Sequence, residues 1–120
     1  MNERAAILFV NDAFYDAFRS CDFETMEQLW ARRDPVACIH PGWRAITNRE
    51  EVMESWQGIL EGGSTPDIAC RGVEAFVTGE TGFVVCYEVI GTAVLVATNL
   101  FRKETDAWWG TRRWRWSPWK

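Results

Sequence analysis

The segment CIHPGW, at positions 38–43, contains His40, the only histidine of the 120-residue chain. A free imidazole has a pKa of about 6.5, so both its protonated and its neutral forms are present near neutral pH. It can therefore accept and return a proton there. In a pocket, such a group can abstract a proton from the carbon next to a carbonyl. The alternative is a core histidine that shares the inner face of a strand with Val36 and Cys38 and only hydrogen-bonds to a neighbour.

The four cysteines, at positions 21, 38, 70 and 86, could also bind a metal ion. No two of them form a CxxC pair, and one histidine adds little to a zinc site. We therefore expect no metal site and cysteines that serve as small buried thiols.

Composition and charge restrict the class of protein. The net charge of -4 argues against a protein that binds nucleic-acid phosphates. No apolar run approaches the roughly 20 residues of a membrane span, and the N-terminal segment lacks a signal-peptide core and cleavage site. We therefore expect a cytoplasmic protein that binds neither nucleic acid nor membrane, with residues 1–120 in one domain.

Apolar residues at helical spacing predict three helices in the first half of the chain. The first covers roughly residues 3–20, and the second follows the capping residue Asp22. Thr47 or Asn48 caps the third, since each has a glutamate three residues later, and Gly62-Gly63 ends it. The side chains expected to face inward from the second and third helices are Phe23, Met26, Leu29, Trp30, Val52, Trp56, Ile59 and Leu60.

Strands are predicted for most of the rest. Val36–His40 is a short strand, and longer ones follow at Ile68–Thr78, Gly82–Ile90, Thr92–Lys103 and Trp108–Trp116. The connections between the last four are short enough for antiparallel hairpins. Helices and strands are segregated along the chain, which predicts an α+β fold with one curved, antiparallel or mixed sheet packed against three N-terminal helices.

Four segments together resemble the SnoaL-like branch of the nuclear transport factor 2-like superfamily. They read FYDAFRSCDFETMEQLW, VACIHPGW, ITNREEVMESWQGIL and VLVATNLFRKETDAWW, and they cover roughly residues 5–109. The resemblance rests on their order and spacing. It implies a cone-shaped roll, also described as cystatin-like or NTF2-like, in which the curved sheet and the helices enclose a pocket.

The resemblance leaves three functions open, because the superfamily includes isomerases, cyclases, dehydratases and plain binding modules. The first is a domain that binds an apolar or aromatic small molecule in the pocket. The second is an enzyme of these types that uses His40 as general acid or base, without a cofactor. The third is a non-catalytic dimerisation or interaction module. The outer sheet face of such domains often pairs with a second subunit, so a homodimer is expected.

In the isomerases that this chain resembles, an aspartate before a proline carries the proton, and His40-Pro41 takes that place here. Those enzymes also need a tyrosine and a protonated carboxylic acid to hold an oxyanion. The tyrosine position falls at Phe14, one residue from Tyr15. Of the strand neighbours Thr98 and Asn99 only one can face the pocket, and neither is an acid. The known steroid-isomerase arrangement is therefore disfavoured.

The predicted ligand contacts in the pocket are Tyr15, Trp30, Trp43, Trp56 and Asn99. A tryptophan on a helix stripe, such as Trp56, is more often a core residue. Glu88 has two interpretations: a solvated charge on the outer sheet face, which is the commoner case, or an inward acid paired with Arg71 or Arg102.

The final segment, WWGTRRWRWSPWK, holds five of the eight tryptophans. It is predicted to be the last sheet strand, with Trp114 and Trp116 on one face and Arg113 and Arg115 on the other. Alternating Trp and Arg can also stack on bases or enter membrane interfaces. SnoaL-like chains commonly end with a valine and several histidines. A further hypothesis is therefore a shifted reading frame beyond Trp109, in which TRRWRWSPW would read HQAVAVVPV.

Overall fold

The computed structural model describes the backbone of residues 2–105 and 107–116. Within these ranges, it describes the side chains as far as Gly110. The elements follow one another as three helices around a short strand and then four long strands. They are α1 (Glu3–Arg19), α2 (Phe23–Leu29), β1 (Ala37–Cys38), α3 (Arg49–Glu61), β2 (Ile68–Thr78), β3 (Thr81–Ile90), β4 (Ala93–Glu104) and β5 (Ala107–Trp116). The α+β fold predicted from the sequence is confirmed.

Side-chain caps fix where α2 and α3 begin. The Asp22 carboxylate accepts from the Thr25 backbone N–H at 3.1 Å and from its hydroxyl at 2.6 Å. These bonds, the hydroxyl first, lower the pKa of Asp22 because they favour the charged form. Of the two candidate caps for α3, Asn48 is the one used, since its side-chain oxygen accepts from the Glu51 N–H at 2.9 Å. Gly62 ends the helix, as expected.

The five strands form one mixed sheet in the order β1-β5-β4-β3-β2, in which only the β1–β5 pair is parallel. β1 is shorter than the predicted Val36–His40. Cys38 exchanges two backbone hydrogen bonds with Ile46, at 2.8 and 2.9 Å, and this pairing turns the chain away from the sheet at His40. The backbone of β5 continues to Trp116, while the facing of Arg113, Trp114, Arg115 and Trp116 lies outside the described residues.

The helices pack on one face of the sheet, where alternate residues of β3 and β4 are buried. Glycine at position 82 lets α1 approach β3 closely. A Cβ there would lie 2.2 Å from the Ile7 Cδ1 and 3.3 Å from the Phe76 carbonyl oxygen. Because α1 also carries Tyr15, this close approach sets how deeply the tyrosine reaches under the sheet.

Two arginines of α1 cover the outer edge of β2. The Arg4 Nε donates to the Ala75 carbonyl at 3.1 Å, and the Arg19 Nη1 donates to the Ile68 carbonyl at 2.9 Å. Between them the β2–β3 register shifts after Arg71, and Gly72 adopts a φ of 60°. Backbone in this left-handed region favours glycine and is typical of a β-bulge.

No described helix is long and apolar enough to cross a membrane. All four cysteines are free thiols, with Cys38 and Cys86 buried and Cys21 and Cys70 partly so. The expectation of small thiols inside the fold is therefore correct for two of them and partly correct for the other two.

A Gly82→Ala substitution should destabilise the fold by about 1–3 kcal/mol, because the added methyl overpacks the contact between α1 and β3. Gly58 provides the matched control, since nothing lies within 4 Å of a Cβ built there. Gly58→Ala in the interior of α3 should stabilise by up to about 1 kcal/mol through helix propensity. Urea unfolding of both variants measures the two effects, and equal effects of the same sign would contradict this account.

Candidate functional site

A buried hydrogen bond joins α1 to β3 in the middle of the molecule. The Tyr15 hydroxyl donates to the Glu88 Oε2 at 2.5 Å, and both side chains are almost entirely buried. Glu88 faces inward because it alternates in phase with Val84 and Cys86, which are also buried. The outer-face interpretation of Glu88 is therefore wrong.

The two arginines expected as partners of an inward Glu88, Arg71 and Arg102, do not contact its carboxylate in the described structure. Arg102 bonds to Glu104 at 2.8 Å and to the carbonyl of Arg33 at 2.9 Å, which anchors the segment between α2 and β1. Arg71 is exposed. The structure describes a contact between the Glu88 carboxylate and the Tyr15 hydroxyl, and the pairing of Glu88 with Arg71 or Arg102 is corrected accordingly.

Two asparagines extend the Tyr15–Glu88 pair into a network. The Asn99 Nδ2 donates to the Tyr15 hydroxyl oxygen at 3.1 Å and to the Asn11 Oδ1 at 2.9 Å. Asn99 is thus the inward member of the Thr98–Asn99 pair. Asn11 is fully buried and was missed as a site residue. The sequence signal that could have found it is a polar side chain within the apolar stripe of the first helix.

Two thiols border the same network. The Cys86 Sγ lies 3.4 Å from the Tyr15 hydroxyl oxygen, and the Cys70 Sγ lies 3.8 Å from the Asn11 Nδ2. The pKa of Cys70 is raised, first by its hydrogen bond to the Cys86 thiol and then by burial. A raised pKa keeps the thiol protonated, so Cys70 acts as a hydrogen-bonding group and is not an activated nucleophile.

A small cavity lies beside the network, with a volume of about 20 Å³. The described residues that line it are apolar except for Asn99, and they are Val10, Phe14, Leu29, Trp30, Asn99, Leu100, Phe101 and Gly110. A cavity of this size holds about one water molecule, whereas ligand pockets measure about 300–1,000 Å³. The described residues therefore line a cavity that is much smaller than the wide pocket expected from the resemblance.

His40 does not line the cavity. Its ring is buried between Trp43 and Trp56, with ring centroids 4.8 and 4.7 Å away in edge-to-face geometry. Its Nε2 lies 2.9 Å from the Ser55 Oγ, on α3. The residue is therefore inside the fold, as both interpretations required, but on the far side of Trp56 from the Tyr15 network.

The Ser55 hydroxyl indicates which proton His40 carries. This hydroxyl donates its one proton to the Val52 carbonyl at 2.7 Å. In its contact with the imidazole, the Ser55 oxygen therefore accepts and the His40 Nε2 donates. A histidine that donates to a serine does not activate it as a nucleophile. The geometry thus gives no support to a serine–histidine pair, and the acid–base role of His40 stays a prediction.

The three predicted tryptophan contacts occupy three different environments. Trp30 is buried and lines the cavity, and its contact with a ligand stays a prediction. Trp56 is a core residue, packed edge-to-face on Phe14 and Phe18 at 5.5 and 6.1 Å. Trp43 is 50% exposed and borders an open surface groove with Arg44 and Glu54, so it is not an interior wall. Among the described residues, no group of three His, Cys, Asp or Glu side chains could hold a metal ion.

Comparison with known proteins agrees with this arrangement of elements. A family model described as the SnoaL-like domain matches residues 7–109. The chain belongs to this family. The matched range of the SnoaL-like domain ends at Trp109, so the Trp- and Arg-rich segment beyond it lies outside the match, and its origin stays a hypothesis.

Two solved structures resemble the SnoaL-like domain along most of its length. One, from Streptomyces avermitilis, is described as "a putative dehydratase from the NTF2-like family" and shares 29% identity, with 97% of this chain and 96% of that chain covered at a TM-score of 0.85. The other, from Thiobacillus denitrificans, is described as a "putative calcium/calmodulin-dependent protein kinase type II association domain" and shares 27% identity, with 88% and 90% covered at a TM-score of 0.75.

A curated relative is the F-box protein SKIP8 of Arabidopsis thaliana, which is 26% identical over 105 residues. The alignment covers 86% of this chain but only 46% of that protein. The SnoaL-like domain thus spans about half the length of this relative.

A Ser55→Ala substitution should destabilise the protein by about 1–3 kcal/mol, because it removes the acceptor that faces the buried Nε2–H of His40. Ser64 is exposed, and Ser64→Ala is the matched control with an expected change within about 0.5 kcal/mol. Denaturant unfolding at pH 7.5 measures both. If Ser55→Ala leaves the free energy of unfolding unchanged, the Ser55 hydroxyl does not contribute to holding His40.

Proposed function

We propose that this SnoaL-like domain, with residues 1–120 as its extent, binds a small and largely apolar molecule at the cavity bordered by Asn99. The observation that supports the proposal is one polar side chain in an otherwise apolar cavity wall, held in place from behind by Tyr15 and Asn11. Apolar cavities with a few converging polar groups are the usual form of small-molecule sites.

The depth of the polar network supports a role beyond packing. Burying a carboxyl, a phenol and two amides costs free energy that apolar side chains of similar volume would not cost. Groups of this kind concentrate at binding and catalytic sites. Glu88, Tyr15, Asn11 and Asn99 are therefore better explained as the support of a site than as core residues alone.

The volume of the cavity requires that a ligand move part of the wall. Leu29 and Trp30 form the wall at the end of α2, which is only seven residues long. A helix this short is held by its packing and has little stability of its own. Displacement of the end of α2 is one way to enlarge the space beside Asn99, and it would break the hydrogen bond from the Ala31 N–H to the Gly110 carbonyl.

Screening single-ring aromatic compounds by NMR tests this function. Compounds that bind should shift the backbone amide signals of the cavity-lining residues in 15N-labelled protein. Val10→Leu adds one methylene at the cavity, fills most of its volume, and should weaken binding about tenfold or more, which corresponds to about 1.4 kcal/mol. Val77→Leu adds the same group outside the cavity and should leave binding unchanged. Shifts located elsewhere, or equal losses in the two variants, would contradict the proposal.

A second candidate function is self-association through the outer face of the sheet. Register places its side chains in rows across β2, β3 and β4, and most are apolar: Phe76, Phe83, Val85, Tyr87, Val89, Val94 and Val96. Phe76 and Tyr87 are 41% and 43% exposed, and the Phe76 and Phe83 rings stack with centroids 4.9 Å apart.

An apolar sheet face that no helix covers is costly in water and typical of an interface. The described helices pack on the opposite face. The relative described as an association domain adds support for pairing with a second copy of this chain. The two candidate functions use opposite faces of one sheet and are compatible.

Tyr87→Glu places a charge in the middle of the outer face and should convert a dimer at tens of micromolar into a monomer. Phe9→Glu is the matched control, because Phe9 is 66% exposed on α1 and lies away from the sheet. Sedimentation equilibrium distinguishes the two masses. A wild-type protein that is already monomeric at this concentration, or a Tyr87→Glu variant that stays dimeric, rules out this interface.

A further inference from the structure

We infer that Arg71 and Glu74 determine how two copies of this chain pair: the arginine of each copy meets the glutamate of the other, on either side of a two-fold axis that crosses β2 at Gly72. The inference rests on the proposed self-association through the outer face and adds the geometry of the pair. It follows from the β-bulge, which places two opposite charges in a mostly apolar surface.

The bulge in β2 brings both charged side chains onto the outer face. Residues three apart in a regular strand point to opposite faces. Here Arg71 lies opposite Tyr87 and Glu74 lies opposite Val85, so two residues of β2 correspond to Cys86 alone on β3. Directly opposite residues point to the same side, and Tyr87 and Val85 both belong to the outer face. Arg71 and Glu74 are therefore neighbours on that face, and both are exposed.

Neither charge takes part in an ion pair within the described part of the chain. The ion pairs there join Asp16 to Arg19, Arg102 to Glu104 and Glu3 to Lys103. The exposed Tyr87 ring lies against Gly72 at the bulge, and its Cδ2 would be 3.1 Å from a Cβ added there. An apolar ring with a positive and a negative side chain beside it forms a surface that can be complementary to itself.

A self-complementary surface fits a second copy of the same chain. In an isologous contact, when residue i of one copy meets residue j of the other, residue j of the first also meets residue i of the second. An axis that crosses β2 at Gly72, between two facing sheets, lays β2 over the same strand of the partner with its direction reversed. Arg71 then lies over the partner's Glu74, and Glu74 lies over the partner's Arg71. One pair of charges thus makes two ion pairs.

The apolar residues of the outer face supply affinity, and the two charges supply orientation. An exposed ion pair adds little affinity by itself, whereas like charges brought together across a contact weaken it strongly and suppress wrong arrangements. A partner shifted along β2 would bring arginine over arginine or glutamate over glutamate. Reversing one of the charges should therefore have a larger effect than removing it.

Reversal of each charge, alone and in a mixture, tests this geometry. Arg71→Glu and Glu74→Arg should each weaken the dimer about tenfold or more, because each variant alone brings like charges together at both contacts. An equimolar mixture of the two variants should dimerise again to within about threefold of wild type, since a mixed pair has opposite charges at both contacts. Native mass spectrometry distinguishes the mixed pair by its mass, and sedimentation equilibrium gives the dissociation constants.

Two matched controls make the same charge changes away from the outer face. Arg44→Glu and Glu61→Arg lie at exposed positions beside and in α3, on the side of the helices, and neither should alter dimerisation. If a reversal variant does not fold, Arg71→Gln and Glu74→Gln replace the pair. Each should weaken the dimer about threefold at low salt, and no loss in either overturns the inference.

The outcomes separate this inference from the proposed interface. Restored dimerisation in the mixture supports the inference. A mixture that stays monomeric, or single reversals that dimerise as tightly as wild type, overturns it, while the outer-face contact stands as long as Tyr87→Glu separates the copies. A wild-type protein that is monomeric at tens of micromolar, or a dimer that Tyr87→Glu does not separate, overturns both.

Discussion

The interior of this SnoaL-like domain depends on one hydrogen bond, from the Tyr15 hydroxyl to the Glu88 carboxylate. A carboxyl group in an apolar interior is tolerated only where donors are supplied to it. One donor comes from the helix that crosses the sheet, so the position of α1 is coupled to the buried carboxyl group of β3. Asn11 and Asn99 complete the arrangement, and their side chains are oriented by the same bond.

The rest of the fold keeps α1 at the depth that this bond requires. Gly82 allows the close approach, while Arg4 and Arg19 attach the two ends of the helix to the carbonyls of β2. On the other side, the Asn48 cap starts α3 so that Ser55 meets His40. Trp56 stands between His40 and the Tyr15 network and separates two polar regions that the sequence had suggested would share one pocket.

The elements of the fold were predictable because their signals are local. Helical spacing, the caps at Asp22 and Asn48 and the short turns between strands gave boundaries close to those described. Capping spacing alone did not separate Thr47 from Asn48, because both have a glutamate three residues later, and only the bond to Glu51 decides.

The orientation of the strands was not predictable, and this explains the error at Glu88. β3 alternates Val84, Cys86 and Glu88 with Phe83, Val85 and Tyr87, and both sets are mostly apolar. Alternation indicates which face is buried only when the other face is polar. The cavity beside Asn99 was not predictable either, since its volume depends on how closely α1, α2, β4 and β5 pack.

The protected edge of β2 has a consequence for how copies of this chain assemble. Unpaired backbone at the end of a sheet invites endless strand-by-strand growth into fibres. Here Arg4 and Arg19 occupy carbonyls of that edge, the bulge at Gly72 interrupts it, and β1 at the opposite edge has only two residues. Growth through either edge is therefore disfavoured, and the contact proposed for the outer face would close at two copies, because both faces are used up in the pair.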